Sequence, residues 1–164
     1  MLLSPAGLHL IAGFEGYVPH PYNDAAGNCT IGYGHLIGER RCTPADIAEW
    51  EHATQTSLLE QLRSDAGVAV AAVAKSVRVR LGIIPGRAQT RFDALCSLAF
   101  NIGGGAFASS SLVQQINHKG APRDWTPLGP YWLEWDHAGG HVLPGLLNRR
   151  RVEFAIFRAG TYPV

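Results

Sequence analysis

The sequence predicts a mostly helical α+β domain with a small sheet near its N-terminus. Apolar residues recur at helical spacing along most of the chain, whereas Tyr22 to His35 breaks into short β-prone pieces around a Gly27-Asn28 turn. No internal repeat, low-complexity tract or long linker interrupts this pattern. The 164 residues are 46% hydrophobic and 16% charged, which describes one globular domain rather than a disordered tail. No stretch of 18 apolar residues occurs, so no transmembrane segment is expected.

Ser4-Pro5 reads as an N-cap followed by proline at the first helical position, and Leu8, Ile11, Ala12 and Glu15 follow at helical spacing. No Lys or Arg precedes this apolar run and no small-residue cleavage site follows it, so it is expected to be a mature first helix, not a targeting segment. Pro19 and Pro21 are expected to stop it. A hairpin or three-stranded sheet then includes Tyr22-Asn-Asp24 and Cys29-Thr-Ile-Gly-Tyr33. Thr43 to Asp46 has the form of a capping box, and Ile47, Trp50, Thr54, Leu58 and Leu62 make one face of a single helix to about Ser64. Val70, Val73, Val77 and Leu81 share the next face, broken at Ile84-Pro-Gly86. Phe92, Leu95, Ala99 and Ile102 share another, ended by Gly103 to Gly105. Ser109 to Ser111 caps a short helix carrying Leu112, Val113 and Ile116. Thr126-Pro127 opens a segment with Trp132 and Trp135, and a last helix runs from about Leu146 to Arg158 with Leu147, Phe154 and Phe157 inward.

The formal charge of +1 is far from that of a basic nucleic-acid-binding module, so no nucleic-acid partner is expected. It hides an asymmetry: residues 1–65 carry eight acids and three bases, and residues 66–164 carry five acids and eleven bases. The second part could present a cationic surface to a polyanion; a solvated helix surface is the simpler reading. Cys29, Cys42 and Cys96 are few and odd in number, which argues against a disulfide framework.

Four constellations compete for chemistry. His137 and His141 are four apart, but zinc chelation at that spacing needs a helix, and Gly139-Gly140 opposes one; no metal or cofactor is expected. Gly103 to Gly105 lacks the Lys and Ser/Thr of a phosphate loop. Cys96 sits among apolar residues and reads as core. The fourth is Glu15, Asp24 and Thr30. Glu15 lies near Phe14 and Tyr17, and an apolar surround disfavours a charged carboxylate and suits it to deliver a proton. Asp24 lies beside Asn23 and a turn, where water and backbone donors keep it ionised. Thr30, across the hairpin, supplies a hydroxyl to hold a water. Two carboxyls in contrasting surroundings meet the requirement of glycoside hydrolysis. The spacing permits that geometry without setting it, and a capping or salt-bridged Glu with a turn Asp fits the same residues.

The segments Leu8-His-Leu-Ile-Ala-Gly-Phe-Glu-Gly16, Tyr22-Asn-Asp24 and Gly27-Asn-Cys-Thr-Ile-Gly-Tyr-Gly-His35 resemble the phage-type lysozymes, the glycoside hydrolase family 24 muramidases. Glu15, eight residues, Asp24, five residues and Thr30 reproduce that family's signature. Phe92 to Gly103 with Gly105-Ala-Phe107 resembles its central buried helix. Trp135, Ala138-Gly-Gly140, Pro144-Gly-Leu146, Arg149-Arg-Arg151 and Phe157 to Thr161 resemble its C-terminal block. Residues 45–88 match poorly, and a long linking helix is inferred there.

The resemblance implies a single lysozyme-like domain over 1–164 with two lobes: an N-terminal lobe of about 14–65 with the sheet, and a helical lobe of about 66–164 plus the first helix. It implies hydrolysis of β-1,4 links between N-acetylmuramic acid and N-acetylglucosamine in bacterial peptidoglycan. Glu15 would be the acid. Asp24 would orient or deprotonate water or stabilise positive charge, and Thr30 would position the water. Gly34, Leu36, Phe100 and Asn101 match cleft positions, although Phe100 equally fits a plain core aromatic. Arg149 matches an arginine that pairs with the catalytic Glu. His35 matches a structural ion-pair position, for which residues 66–90 offer no obvious acid. The implied setting is a phage endolysin, made in the host cytoplasm and acting as a monomer on the wall after a holin permeabilises the membrane. The alternatives are a lytic transglycosylase, a catalytically silent wall-binding domain, or membrane disruption by the cationic C-terminal part.

Overall fold

The computed structural model describes residues 1–82, 84–120 and 124–163, with the backbone alone at Pro85. Its contacts divide the chain into two compact units, Leu8–Gly67 and Met1–Gly7 with Val68–Val164. The fold is mostly helical α+β with a small antiparallel sheet, as expected.

Helix α1 spans Pro5–Glu15 and is divided between the units at Gly7, whereas the expected lobes place it whole with the helical part. Ser4 caps it, its Oγ accepting from Gly7 N at 3.0 Å. Gly16, at φ 74°, ends the helix with its N–H on Ala12 O, a left-handed conformation that glycine adopts without steric cost.

In the Leu8–Gly67 unit, strands β1 (Val18–Asn23), β2 (Cys29–Gly32) and β3 (His35–Gly38) form an antiparallel sheet in that order. Pro19 and Pro21 lie inside β1, so the strand begins earlier than the sequence suggests. A proline lacks a ladder donor, and β1 is an edge strand whose pairing is irregular between Val18 and Tyr22. At Gly32 two constraints coincide: φ is +67°, and an added Cβ would stand 3.1 Å from the Leu58 side chain.

The helix expected from Thr43 to Ser64 is two helices. Thr43 and Asp46 form the expected capping box of α2 (Pro44–Glu49). A second box, Thr54 with Ser57, starts α3 (Gln55–Asp65). Thr54 is therefore a helix start and not a face position, because its hydroxyl accepts from Ser57 N at 3.1 Å. Leu58 and Leu62 are buried as expected, whereas Ile47 is exposed.

Cys29 and Cys42 are joined by a disulfide, which corrects the reading of the cysteine count. Counting misses that the chain after β3 returns to β2: Cys29 N donates to Arg40 O at 2.7 Å, and Cys42 N donates to Asn23 Oδ1 at 2.8 Å. Arg40 holds the same loop through a bidentate pair with the buried Asp46, at 2.6 and 2.9 Å. The third thiol, Cys96, is buried and free; burial pushes its pKa far up, so it is a core residue and no nucleophile.

In the other unit, α4 (Gly67–Ser76) follows, so residues 45–88 hold several helices and no single linking one. Helix α5 (Pro85–Ile102) is buried from Thr90 to Ala99 and packs on α9 (Pro144–Ala159). Gly103 ends α5 at φ 87°, as expected, and α6 (Gly104–Ser109), for which the sequence gives no expectation, starts at once. Ser110 caps α7 (Ser111–Lys119), accepting from Val113 N at 3.2 Å. A 3-10 turn at Thr126–Leu128 leads into α8 (Gly129–Leu133). His137–Ala138 and His141–Val142 form a two-stranded hairpin, β4 and β5, not a helix. No group of three metal-ligating side chains occurs among the described residues. Phe157 is fully buried, whereas Leu147 and Phe154 are half-buried.

Replacing Cys29 and Cys42 by Ser is expected to cost about 2–4 kcal/mol, because the bond closes a short loop in the unfolded chain. Thermal unfolding checks this: reductant lowers the midpoint of the parent protein toward that of the double variant and leaves the variant unmoved.

Candidate active site

Asp24 and Thr30 are brought together by the β1–β2 hairpin. The register pairs Tyr22 with Thr30 and Asn23 with Cys29, which leaves Asp24 at the head of the turn. Asp24 N donates to Asn28 O at 2.9 Å and Gly27 N donates to Asp24 O at 3.0 Å, closing the loop. The carboxylate folds back over it. Its Oδ1 accepts from Ala26 N and Asn28 N, both at 2.9 Å, and Oδ2 accepts from the Asn28 amide at 3.3 Å. The Asn28 backbone donor, with smaller contributions from the Asn28 side chain and Ala26, holds the Asp24 pKa below the ordinary carboxylate value. The expectation that turn donors keep Asp24 ionised thus has a specific cause.

Thr30 is buried in β2, between Tyr22 of β1 and Leu36 of β3. Its cross-strand partner is Tyr22 and not Asp24, and its hydroxyl donates to Tyr22 O at 3.3 Å. Spending the proton on the hairpin leaves the oxygen lone pairs to accept from a water.

Glu15 is the last residue of α1, half-buried, and three residues ahead of β1. All three candidates therefore belong to the Leu8–Gly67 unit. So do Gly34, in the β2–β3 turn at φ 81°, and Leu36, 46% exposed although it pairs with buried Thr30. His35 has its ion-pair partner here as well: Nδ1 lies 3.0 Å from Asp65 Oδ2. Asp65 ends α3, one residue before the stretch in which the sequence reading sought an acid. The partner belongs to the same unit as the sheet and lies outside residues 66–90.

Phe100, Asn101 and Arg149 belong to the other unit. Phe100 is half-buried and Asn101 exposed at the end of α5. The sequence reading missed the group that organises them, the fully buried Glu153. Glu153 Oε1 accepts from Ser97 Oγ at 2.6 Å, Arg149 Nε at 3.0 Å and Arg150 Nη2 at 3.2 Å. Trp132 Nε1 donates to Oε2 at 3.3 Å. Arg149 Nη2 also donates to Ser97 O at 3.2 Å, and Arg150 Nη2 to Asn101 Oδ1 at 3.0 Å. One network thus sets both Arg149 and Asn101. The sequence does carry its signal: Arg149 and Arg150 stand four and three residues before Glu153, the helical spacing of ion pairs.

Comparison with known proteins gives the family. The phage lysozyme family model matches residues 12–153, and the chain belongs to that family. It is 35% identical over 164 residues to the endolysin of Bacillus phage PZA, covering 98% of this chain and 57% of that protein. The chain thus spans little more than half of that relative's length. It is 34% identical over 157 residues to the endolysin of Salmonella phage P22, covering 96% and 98% of the two chains. Among solved structures, the endolysin from Escherichia coli O157:H7 phage FAHEc1 superposes with a TM-score of 0.78 at 31% identity, over 100% of this chain and 98% of that one.

Two outcomes test the site. The Asp24 carboxyl, followed by NMR, should titrate below the ordinary value of about 3.9. Because its folded pKa is depressed, its charge stabilises the turn above the unfolded pKa, and that support is lost as pH falls through the folded one. A midpoint at or above the ordinary value would remove the account of the turn. Glu153→Ala withdraws the shared acceptor from two buried guanidinium groups and is expected to cost about 3–5 kcal/mol in denaturant unfolding.

Proposed function

We propose that this chain is a peptidoglycan hydrolase, an endolysin that cleaves the β-1,4 bond between N-acetylmuramic acid and N-acetylglucosamine. The observation that carries the reading is the β1–β2 hairpin, which presents an ionised Asp24 and an acceptor hydroxyl on Thr30 in a phage lysozyme family chain. Glu15 donates a proton to the glycosidic oxygen as that bond breaks. Asp24 takes the water proton or faces the positive charge that grows on the sugar ring, and Thr30 accepts a hydrogen bond from the attacking water. Gly34 and Leu36 border the bound glycan on the sheet side. Phe100 and Asn101 are the proposed contacts from the helical unit, and Arg149 is the proposed ion-pair partner of the acid.

No helix among the described residues is long and apolar enough to cross a membrane. The proposed route to the wall is synthesis in the host cytoplasm and release by a holin, with the chain acting as a monomer. Lysis of intact cells that express the chain without a holin would contradict that route.

Glu15→Gln is expected to lower release of muropeptides from purified wall by about 10²–10⁴-fold, the range for loss of a positioned acid. Mass spectrometry of the products reads the reaction type at the same time. Hydrolysis adds one water across the bond, and an anhydro product would instead identify a transglycosylase. Undiminished release by the variant would exclude Glu15 as the acid.

A further inference from the structure

The cationic half of the chain has a structural counterpart that the proposed reaction does not use. Residues 66–92 and 94–123 contain no Asp or Glu, while Lys75, Arg78, Arg80 and Lys119 fall among them. A cavity of about 520 Å³ opens between the C-terminal ends of α4 and α7, lined by Lys75, Arg78, Gln114, Asn117 and His118 over an apolar floor that includes Val113. No carboxylate lines it, and no ion pair of Lys75, Arg78 or His118 occurs among the described residues.

The walls are built rather than loose. Asn117 Nδ2 donates to Ser76 O at 2.8 Å, capping a terminal carbonyl of α4, and Asn117 Oδ1 accepts from Arg78 N at 2.8 Å. One side chain therefore ties α7 to the exit of α4 and holds Arg78 on the cavity beside His118. Cations at helix C-termini complement the helix dipole, which accounts for Lys75 and for His118 and Lys119. It does not account for Arg78, which lies beyond α4, nor for the lack of any counter-charge around the opening.

We propose that this cavity is a phosphate-binding subsite that takes successive groups of a polyol-phosphate polymer of the cell envelope. A guanidinium, an ammonium and an imidazole around one opening suit an oxyanion with several acceptor oxygens. The volume exceeds what one phosphate fills, and Arg80 and Lys119 stand two and one residues along the chain from the lining Arg78 and His118, so positive charge continues along both segments. The choice of an envelope polymer rests on the proposed wall substrate; the anion site itself does not. Bound there, the polymer would hold the enzyme at its insoluble substrate without touching the Asp24 hairpin.

The test titrates poly(glycerol phosphate), inorganic phosphate, anionic phospholipid vesicles and duplex DNA into the full chain, with amide shifts recorded by NMR. The polymer should shift the Gln114, Asn117 and His118 amides saturably and bind more tightly than inorganic phosphate. Lys75→Ala with Arg78→Ala should weaken it about ten-fold or more. The same double variant should cleave soluble phosphate-free glycan fragments at the parent rate. Absence of those shifts, equal affinity in the double variant, or tighter binding to vesicles or DNA would overturn the proposal. Polymer binding by a chain that fails to cleave glycan would refute the proposed reaction and leave the anion site standing.

Discussion

The carboxylate of Asp24 closes the turn from which the candidate active site is built. Its acceptance of the Ala26 and Asn28 N–H groups lets β1 reverse into β2 within five residues, and that reversal sets Tyr22 opposite Thr30. The donors that close the turn also lower the proton affinity of the carboxylate. One set of hydrogen bonds therefore closes the turn and favours the ionised carboxylate. Thr30 shows the same economy: the bond that ties it to Tyr22 O leaves its lone pairs on the acceptor side.

Around the hairpin, fixed points replace a large core. Gly32 lets β2 approach Leu58 of α3, His35 meets Asp65, and the Arg40–Asp46 pair and the Cys29–Cys42 bond hold the chain that leaves β3. A small sheet with exposed edges buries too little apolar surface to be stable alone, so covalent and ionic ties supply what packing does not. The helical unit solves the opposite problem. Its centre is amply apolar, and a single buried carboxylate, Glu153, pairs with two guanidinium groups and accepts from a hydroxyl and an indole. Removing any member leaves charge in a site that water does not reach, which makes the network a constraint on where Arg149 and Asn101 point.

Much of this was legible along the chain. Ser4-Pro5, Thr43 to Asp46 and Ser110 act within one helical turn, and each starts a helix where its spacing indicates. The Glu15–Asp24–Thr30 spacing placed a carboxylate and a hydroxyl on one hairpin for the same reason, since a turn and its flanking strands are local objects. Errors arose where two local signals overlapped. Apolar periodicity ran through Thr54, and the competing cap hydrogen bond divided the helix. The prolines of β1 read as breakers because an edge strand, which tolerates them, cannot be told from a central one without its neighbours.

By itself the sequence determined the helix starts at Ser4, Thr43 and Ser110, the turn at Asp24, the family and the charge asymmetry, because each depends on residues a few positions apart or on composition. Tertiary structure alone decided that Cys29 meets Cys42, that His35 pairs with Asp65, that Ser97 joins Glu153, and that Lys75 and Arg78 share one cavity with His118. Cys29 and Cys42, His35 and Asp65, and Ser97 and Glu153 stand 13, 30 and 56 positions apart. What brings them together is the burial of apolar faces over the whole unit, which no short stretch of chain encodes.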